Sequence, residues 1–157
     1  MMDGFQFERT HDMALAREIL THPRIYPHIT DDGCPVAERF IPPDDPRVWY
    51  LLVRRNGQCV GLFALHPQNA ICYEVHTCLL PCCWGPQAVE LAVAAREWIW
   101  RNTPARRLVT NVPTYNQLAL RFALKAGMAL YGCNPASFLK NGKLYAQHML
   151  GVSKEDY

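Results

Sequence analysis

The feature that most constrains the fold is a strand–helix–strand pattern between residues 70 and 112. The segment AICYEVHTCLL, residues 70–80, alternates with period two and predicts the longest strand. A helix is predicted from Pro86 to about Asn102, since proline suits the first helical position, and RRLVTNV predicts the next strand. Such a crossover is right-handed and joins parallel strands. The pattern therefore predicts an α/β domain with a ligand crevice at the carboxyl ends of these strands.

The alternation of the long strand sorts its side chains into two faces. One face is predicted to carry Ile71, Tyr73, Val75, Thr77 and Leu79, and the other Cys72, Glu74, His76 and Cys78.

Shorter elements precede this unit. A first strand is predicted at Phe5–Phe7, followed by a helix whose N-cap is Thr10 and which ends at Pro23. A long connection rich in proline and aspartate, residues 24–47, follows, with one helical turn at its centre in residues 36–40. Connections of this length in a compact domain are usually functional or mobile. An Asn-Gly pair at residues 56–57 then predicts a hairpin.

Other elements follow the unit. A second helix is predicted over residues 116–126, ended by Gly127, with a buried stripe of Leu118, Ala119, Phe122 and Ala126. The sequence KNGK predicts a last hairpin with arms at residues 128–139 and 144–150. Pro135 is expected at a sheet edge or a bulge of the first arm.

Composition limits the class of protein. The 157 residues are 50% hydrophobic with a net charge of +2, which predicts one domain over residues 1–157 and gives no electrostatic reason to expect nucleic acid. The sequence contains no window of membrane-span length, so a soluble cytoplasmic protein without membrane partners is expected. Seven scattered cysteines argue against a disulfide framework. No metal site is expected, because His76, Cys78, Cys82 and Cys83 match no common zinc spacing.

The second helix carries a family resemblance. In NQLALRFALKAGM, Asn116, Ala119, Phe122 and Gly127 follow the spacing of the GNAT superfamily of acetyl-CoA-dependent N-acetyltransferases, although Met128 replaces an aromatic residue. The element order resembles that superfamily over about residues 5–150. The resemblance implies an α/β (α+β) fold: a mixed sheet with a central splayed parallel strand pair and helices on both faces. YEVHTCLLP with the long early loop also resembles GNAT-like proteins encoded in phages and prophages, a few of which are described as head-assembly factors.

The same resemblance implies acetyl-CoA as co-substrate. Its pantetheine arm is expected to lie between the splayed strands, on the backbone of Cys78, Leu79 and Leu80. The pyrophosphate is expected at the helix start near Gly85, on the N–H groups of Gln87, Ala88 and Val89, and Asn116 is assigned to the same cofactor. Trp84, Gln87 and Val89 depart from the usual loop. Two interpretations stay open: a loop that binds CoA, and a structural turn with Trp84 packed over the phosphate position.

Candidate catalytic residues lie on the polar face of the long strand. Glu74 is the first candidate for general base, with a pKa that a desolvated cleft would raise, and His76 is the alternative. The tyrosine of the family's helix falls on Ala123. Tyr131, Tyr115 or water could then donate the proton to the departing thiolate.

Two main functions therefore stand side by side, beside a third possibility, a regulator that binds an acyl-CoA without turnover. The first is an N-acetyltransferase acting on an unidentified primary amine, a small molecule or a peptide. The alternative is a non-catalytic assembly or binding protein with a degenerate cofactor loop. The paired aspartates Asp31-Asp32 and Asp44-Asp45 are expected either to form turns or to line a cationic acceptor site. An exposed final hairpin allows a homodimer.

Overall fold

Seven strands form one mixed sheet in the computed structural model, which describes residues 4–156. In chain order they are β1 (Phe5–Arg9), β2 (Trp49–Arg55), β3 (Gln58–Pro67), β4 (Cys72–Leu79), β5 (Arg107–Pro113), β6 (Ala129–Lys140) and β7 (Lys143–Ser153). Their order across the sheet is β1-β2-β3-β4-β5-β7-β6. β4 and β5 pair in parallel, and the other neighbours pair antiparallel. The predicted fold class is confirmed; residues 1–3 and 157, the outer ends of the predicted domain, lie outside the described residues.

Helices cover both faces of the sheet. They are α1 (Met13–Leu20), α2 (Tyr26–Ile29), α3 (Pro86–Asn102) and α4 (Gln117–Lys125), with single 3₁₀ turns at Ala37–Arg39, Pro81–Cys83 and Lys154–Asp156. Leu91 and Ile99 of α3 are buried against one face, and Ile19 and Leu20 of α1 against the other. Among residues 4–156, none of the helices combines the length and apolarity needed to cross a bilayer.

The two faces of β4 follow the predicted alternation. Val75 and Leu79 join the core under α3, whereas Cys78 joins the core under α1. The polar side chains of Glu74 and His76 therefore point to the α1 face, which is the face that the early loop covers.

Several local predictions need correction. Asp12, rather than Thr10, is the N-cap of α1, because its carboxylate accepts the Leu15 N–H at 3.0 Å. Strand β1 runs on to Arg9, and the short helix α2 was not predicted. Leu118 is 77% exposed rather than buried, because the stripe of α4 turns Ala119, Leu120, Phe122 and Ala123 to the sheet instead.

The turn predictions are confirmed. Asn56 and Gly57 have φ values of 51° and 81°, and Asn141 and Gly142 have 53° and 75°, as two-residue hairpin turns require. Gly127 follows α4 with φ of 99°. Pro135 lies in the edge strand β6, within the register shift between Asn134 and Phe138.

Candidate functional site

The parallel strands β4 and β5 diverge after a short paired segment. Their register runs from Cys72–Arg107 to Glu74–Val109, and within residues 4–156 no β4–β5 pair follows. Beyond this point β4 continues along β3 and β5 continues along β7. A slot therefore opens between the carboxyl halves of the two central strands, as the sequence analysis expected.

Backbone direction decides which residues of β4 face the slot. The Ile71 carbonyl accepts the N–H groups of Arg106 and Arg107, so it points towards β5, whereas the Leu80 N–H donates to the Val60 carbonyl beside β3. Because backbone groups alternate along a strand, those of Thr77 and Leu79 face the slot. The backbone groups of Cys78 and Leu80 point towards β3 instead. They therefore do not face a pantetheine arm in the slot, contrary to the prediction.

Trp84 lies at the mouth of this slot. Its indole Nε1–H donates to the Leu79 carbonyl at 2.8 Å, and the guanidinium of Arg24 lies 4.8 Å from the centre of its ring. The indole is 41% exposed. Trp84 therefore occupies the Leu79 carbonyl, which faces the slot. It makes no hydrogen bond to the backbone of Thr77, which lies deeper in the slot.

The start of α3 is built by local hydrogen bonds. Gly85 is the N-cap with φ of 102°, and the Ala88 N–H donates back to its carbonyl at 3.0 Å. Gln87 is held on both sides: its amide oxygen accepts from Arg55 at 2.8 Å and its amide nitrogen donates to the Cys82 carbonyl at 3.1 Å. The Ala88 N–H was predicted to bind phosphate, but it already donates to the Gly85 carbonyl within the first turn of the helix. Two cations, Arg24 and Arg55, lie beside this helix start.

A polar cluster lies at the base of the slot, where the strands separate. Glu74 accepts from His76 Nε2 at 3.0 Å through one carboxylate oxygen and from Asn111 Nδ2 at 2.7 Å through the other. Asn111 lies on β5, so this carboxylate links the two central strands. With Nε2 donating to the carboxylate, Nδ1 of His76 is left with the lone pair of the neutral ring.

The pKa of Glu74 shifts in the direction opposite to the one expected for a desolvated base. The hydrogen bond from His76 outweighs burial and lowers the pKa of Glu74 below its ordinary value. A carboxylate that stays ionised in this way orients and polarises the imidazole better than it removes a proton. The assignment of a base among Glu74 and His76 stays a prediction, and the hydrogen bond between them fixes the orientation of the imidazole.

His66 completes the cluster from the neighbouring strand. It pairs with Glu74 in the β3–β4 register, and its ring lies edge-on to that of His76 with centroids 5.3 Å apart. Burial, followed by the charge of His76, lowers the pKa of His66, so its neutral form is favoured.

A cavity of about 200 Å³ opens beside the two imidazoles on the α1 face. It is lined by Leu20, Ile29, Thr30, Cys34, Phe40, Pro43, Tyr50, Ala64, His66 and His76. The Tyr50 hydroxyl donates to the Pro43 carbonyl at 2.8 Å, and burial raises the pKa of Tyr50 to about 12. The long early loop thus forms one wall of the cavity, and β2, β3 and β4 form the other.

Long-range hydrogen bonds hold the early loop in place. Arg17 of α1 donates to the Phe40 carbonyl at 2.9 Å, and Lys140 donates to the Thr30 carbonyl at 2.6 Å. The Asp32 carboxylate accepts the N–H groups of Asn141 and Gly142 at the tip of the last hairpin, each at 2.8 Å. The loop and the last hairpin therefore form one unit.

The predicted proton donors make aromatic contacts of their own. Tyr131 packs 5.2 Å from the guanidinium of Arg107, and in the register of β6, β7 and β5 it lies level with Thr110 and Asn111. Tyr115 follows β5 and packs on Tyr145 with centroids 4.6 Å apart. Ala123 is buried beside Val112. The assignment of Tyr131 as a catalytic residue therefore stays a prediction.

Asn116 has a structural role. Its side-chain oxygen accepts the Ala119 N–H at 3.1 Å and caps α4, so that oxygen is engaged within the helix.

His66 and Asn111 were missed by the sequence analysis. His66 could have been found, because the short turn after "ALHP" folds β3 onto β4 and brings it opposite Glu74. Asn111 has no comparable local signal, since 37 residues separate it from its partner.

Solved structures of acetyltransferases resemble this chain in fold. The spermidine N-acetyltransferase of Vibrio cholerae in complex with CoA and spermine matches with a TM-score of 0.79 at 13% identity, covering 98% of each chain. An acetyltransferase of the GNAT family from Streptococcus pneumoniae matches with a TM-score of 0.70 at 18% identity, covering 95% of this chain and 99% of that one. No protein-family model and no curated protein sequence matches this chain.

At these identities the likeness concerns the backbone arrangement. The mixed sheet, the divergence of β4 from β5 and the helix that follows β4 are all in place. This chain therefore has the fold of the GNAT acetyltransferases.

Proposed function

We propose that this protein transfers an acyl group, acetyl in the simplest case, from acetyl-CoA to a primary amine. The observation that carries the proposal is the slot between β4 and β5, which ends at a Glu74–His76–Asn111 cluster beside a cavity. The slot would hold the thioester, the cluster would supply a base, and the cavity would hold the acceptor. These three parts lie next to one another.

The cluster supports direct transfer. The ammonium of the acceptor gives a proton to Nδ1 of His76, whose other nitrogen donates to the Glu74 carboxylate. The neutral amine attacks the thioester carbonyl, an N–C bond forms, and the C–S bond breaks. The nitrogen gives up its second proton as the amide forms, and water carries that proton to the departing thiolate, which is a good leaving group because a free thiol has a pKa of about 8.5. Proximity of amine and thioester contributes much of the rate.

Three features support CoA as the donor. Thr77 and Leu79 offer backbone groups to an extended arm, as an added strand would use. Arg24 and Arg55 place positive charge at the start of α3, where the helix dipole also favours phosphate. The Vibrio cholerae enzyme of similar fold was crystallised with CoA.

The alternative, a non-catalytic binding or assembly protein, has support from Trp84. Its hydrogen bond to Leu79 occupies a backbone acceptor that a pantetheine arm would meet. Ala123 also supplies no proton donor. Under our proposal the indole leaves Leu79 when the arm binds, so Trp84 competes with the ligand rather than excluding it.

Binding of acetyl-CoA to the full chain tests the proposal. Acetyl-CoA at one hundred times its Kd should stabilise the protein by about 2.7 kcal/mol, seen as a rise in Tm. The variant Trp84→Phe should bind about three- to tenfold tighter, because one competing hydrogen bond of roughly 0.5–1.5 kcal/mol is removed. Trp98→Phe, on the far part of α3, is the matched control and should leave the affinity unchanged.

Turnover separates the two functions. Thiol release from acetyl-CoA that depends on an amine would establish transfer. Absence of a Tm shift in both wild type and Trp84→Phe would support the binding protein instead. Weaker binding by Trp84→Phe would show that the indole contributes to the cofactor site. A homodimer stays a prediction that sedimentation would test.

A further inference from the structure

The geometry points to the class of acceptor: a small primary amine with an apolar body and a single positive charge. The inference rests on the proposed function, since it takes the cavity beside His76 as the acceptor site. It separates this chain from the Vibrio cholerae enzyme of similar fold, which is a spermidine N-acetyltransferase.

Size is the first argument. The cavity of about 200 Å³ is smaller than the roughly 300–1,000 Å³ of sites for drug-sized ligands. An apolar cavity of about 150 Å³ is enough for benzene. A single ring or a short branched chain with an aminomethyl or aminoethyl group therefore matches the space.

The lining is the second argument. Leu20, Ile29, Phe40, Pro43 and Ala64 offer hydrocarbon surface to most of the cavity. Burial of such a surface against an apolar ligand is favourable in proportion to the area removed from water. The Tyr50 hydroxyl donates to Pro43, so it is engaged within the loop. The Thr30 hydroxyl likewise donates to the Tyr26 carbonyl, so the two imidazoles are the basic groups of the lining that can take a proton from the amine.

Charge is the third argument. Among the lining residues that the structure describes, none is an aspartate or a glutamate. Glu74 acts through His76, and Asp44 lies near enough to raise the pKa of Tyr50 without lining the cavity.

Three of the other four acidic groups of the early loop have partners, and the fourth, Glu38, raises the pKa of Tyr26 without lining the cavity. Asp32 binds the last hairpin, Asp45 binds Arg47 at 2.8 Å, and Asp31 accepts the Gly33 N–H at 2.9 Å.

A polyamine would lack partners here. Each further ammonium that enters an apolar cavity costs free energy unless a carboxylate pairs with it. One ammonium can be accepted, because it loses its proton to the base before it attacks the thioester. The cavity therefore selects monoamines over spermidine.

Binding and turnover should be measured separately. Phenethylamine, isoamylamine, 1,4-diaminobutane and spermidine are titrated into the full chain by calorimetry without CoA, and then tested for thiol release with acetyl-CoA. We expect the two monoamines to bind at least about tenfold tighter than spermidine. Tighter binding of spermidine, or no binding of any amine, would overturn the inference. If monoamines bind but no thiol is released, the ligand class of the cavity stands and the proposed transfer fails.

A charge introduced at the cavity sharpens the test. Cys34 is exposed and lines the cavity, so Cys34→Asp should shift preference towards 1,4-diaminobutane by about three- to fivefold. Cys133, an equally exposed free cysteine on β6, is the matched control: Cys133→Asp should leave the preference unchanged. Equal responses of the two variants would show that the cavity does not bind the amine.

Discussion

The two ends of the slot are built in different ways. On the acceptor side, the early loop is held by Arg17, Asp32 and Lys140 through bonds that span between 20 and 113 residues of chain. On the proposed cofactor side, Trp84 binds Leu79 and Gln87 binds Cys82, each only five residues away, and the contacts from distant segments are one hydrogen bond from Arg55 and one cation–π contact from Arg24.

This difference indicates which side of the slot can rearrange at a small cost in free energy. Moving the early loop breaks contacts with α1 and with the last hairpin together, so the acceptor cavity is present before any ligand arrives. Moving Trp84 breaks one hydrogen bond and one cation–π contact, each worth about 1 kcal/mol. A ligand that forms a few hydrogen bonds with the backbone can offset this loss of free energy. The acceptor side is therefore preformed, and the cofactor side adapts.

The largest expected effect concerns the base at the junction of the two sides. His76→Ala should lower kcat/KM by about 10²- to 10⁴-fold, as loss of a general base does. Glu74→Gln should cost less, because the amide still accepts from the imidazole but no longer carries charge. Steady-state kinetics and the pH profile of kcat test this pair. A Glu74→Gln loss equal to that of His76→Ala would return the role of base to Glu74.

The next effect concerns the strand that borders the slot. A Cβ at Gly61 would lie 2.6 Å from the Cys78 carbonyl oxygen and 2.8 Å from Leu79 Cα, both of them backbone atoms. Gly61→Ala should therefore lower the free energy of unfolding by about 2–4 kcal/mol and displace β4 at the slot.

Gly132 provides the matched control, since its Cβ would meet only the Met149 sulfur at 3.5 Å. Gly132→Ala should change stability by less than about 0.5 kcal/mol in urea unfolding. Similar losses in both variants would contradict the close approach at Gly61.

A smaller effect tests whether the acceptor side is preformed. Asp32→Ala removes both acceptors for the tip of the last hairpin and should raise KM for the amine several-fold, with little change in KM for acetyl-CoA. Asp32→Asn keeps one acceptor oxygen and should have an intermediate effect. A change in the KM for acetyl-CoA alone would remove the distinction between the two sides.

The smallest effect is a pH dependence of stability. The pKa of His66 is lowered in the fold from an ordinary value of 6.5, so the unfolded chain binds more protons. The contribution of His66 to the free energy of unfolding is therefore highest above pH 6.5, and it falls as the pH drops below this value towards the pKa of His66 in the fold. His66→Gln should flatten the decline in unfolding free energy between pH 7 and pH 5. His28→Gln, at an exposed site, should keep the decline of the wild type.

Local chemistry explains which parts of the fold were predictable. Both Asn-Gly turns, Gly127 after α4 and Pro86 at the start of α3 depend on the backbone preferences of one or two residues. The N-cap of α1 failed for the same kind of reason, since Thr10 and Asp12 are both good caps and the structure uses Thr10 to accept the Asp12 N–H instead. Leu118 was misplaced because α4 has only nine residues, too few for the spacing of its apolar residues to single out one face.

The sequence by itself determined the order of elements, the crossover that makes β4 and β5 parallel, and the face on which Glu74 and His76 lie. These follow from periodicity and turn chemistry, which act within a few residues. Only the tertiary structure decided that the strands part after Glu74, that Asn111 and His66 join the carboxylate, and that Trp84 covers Leu79. Those contacts depend on how distant segments meet in space, and pairing at that range leaves no local pattern in the chain.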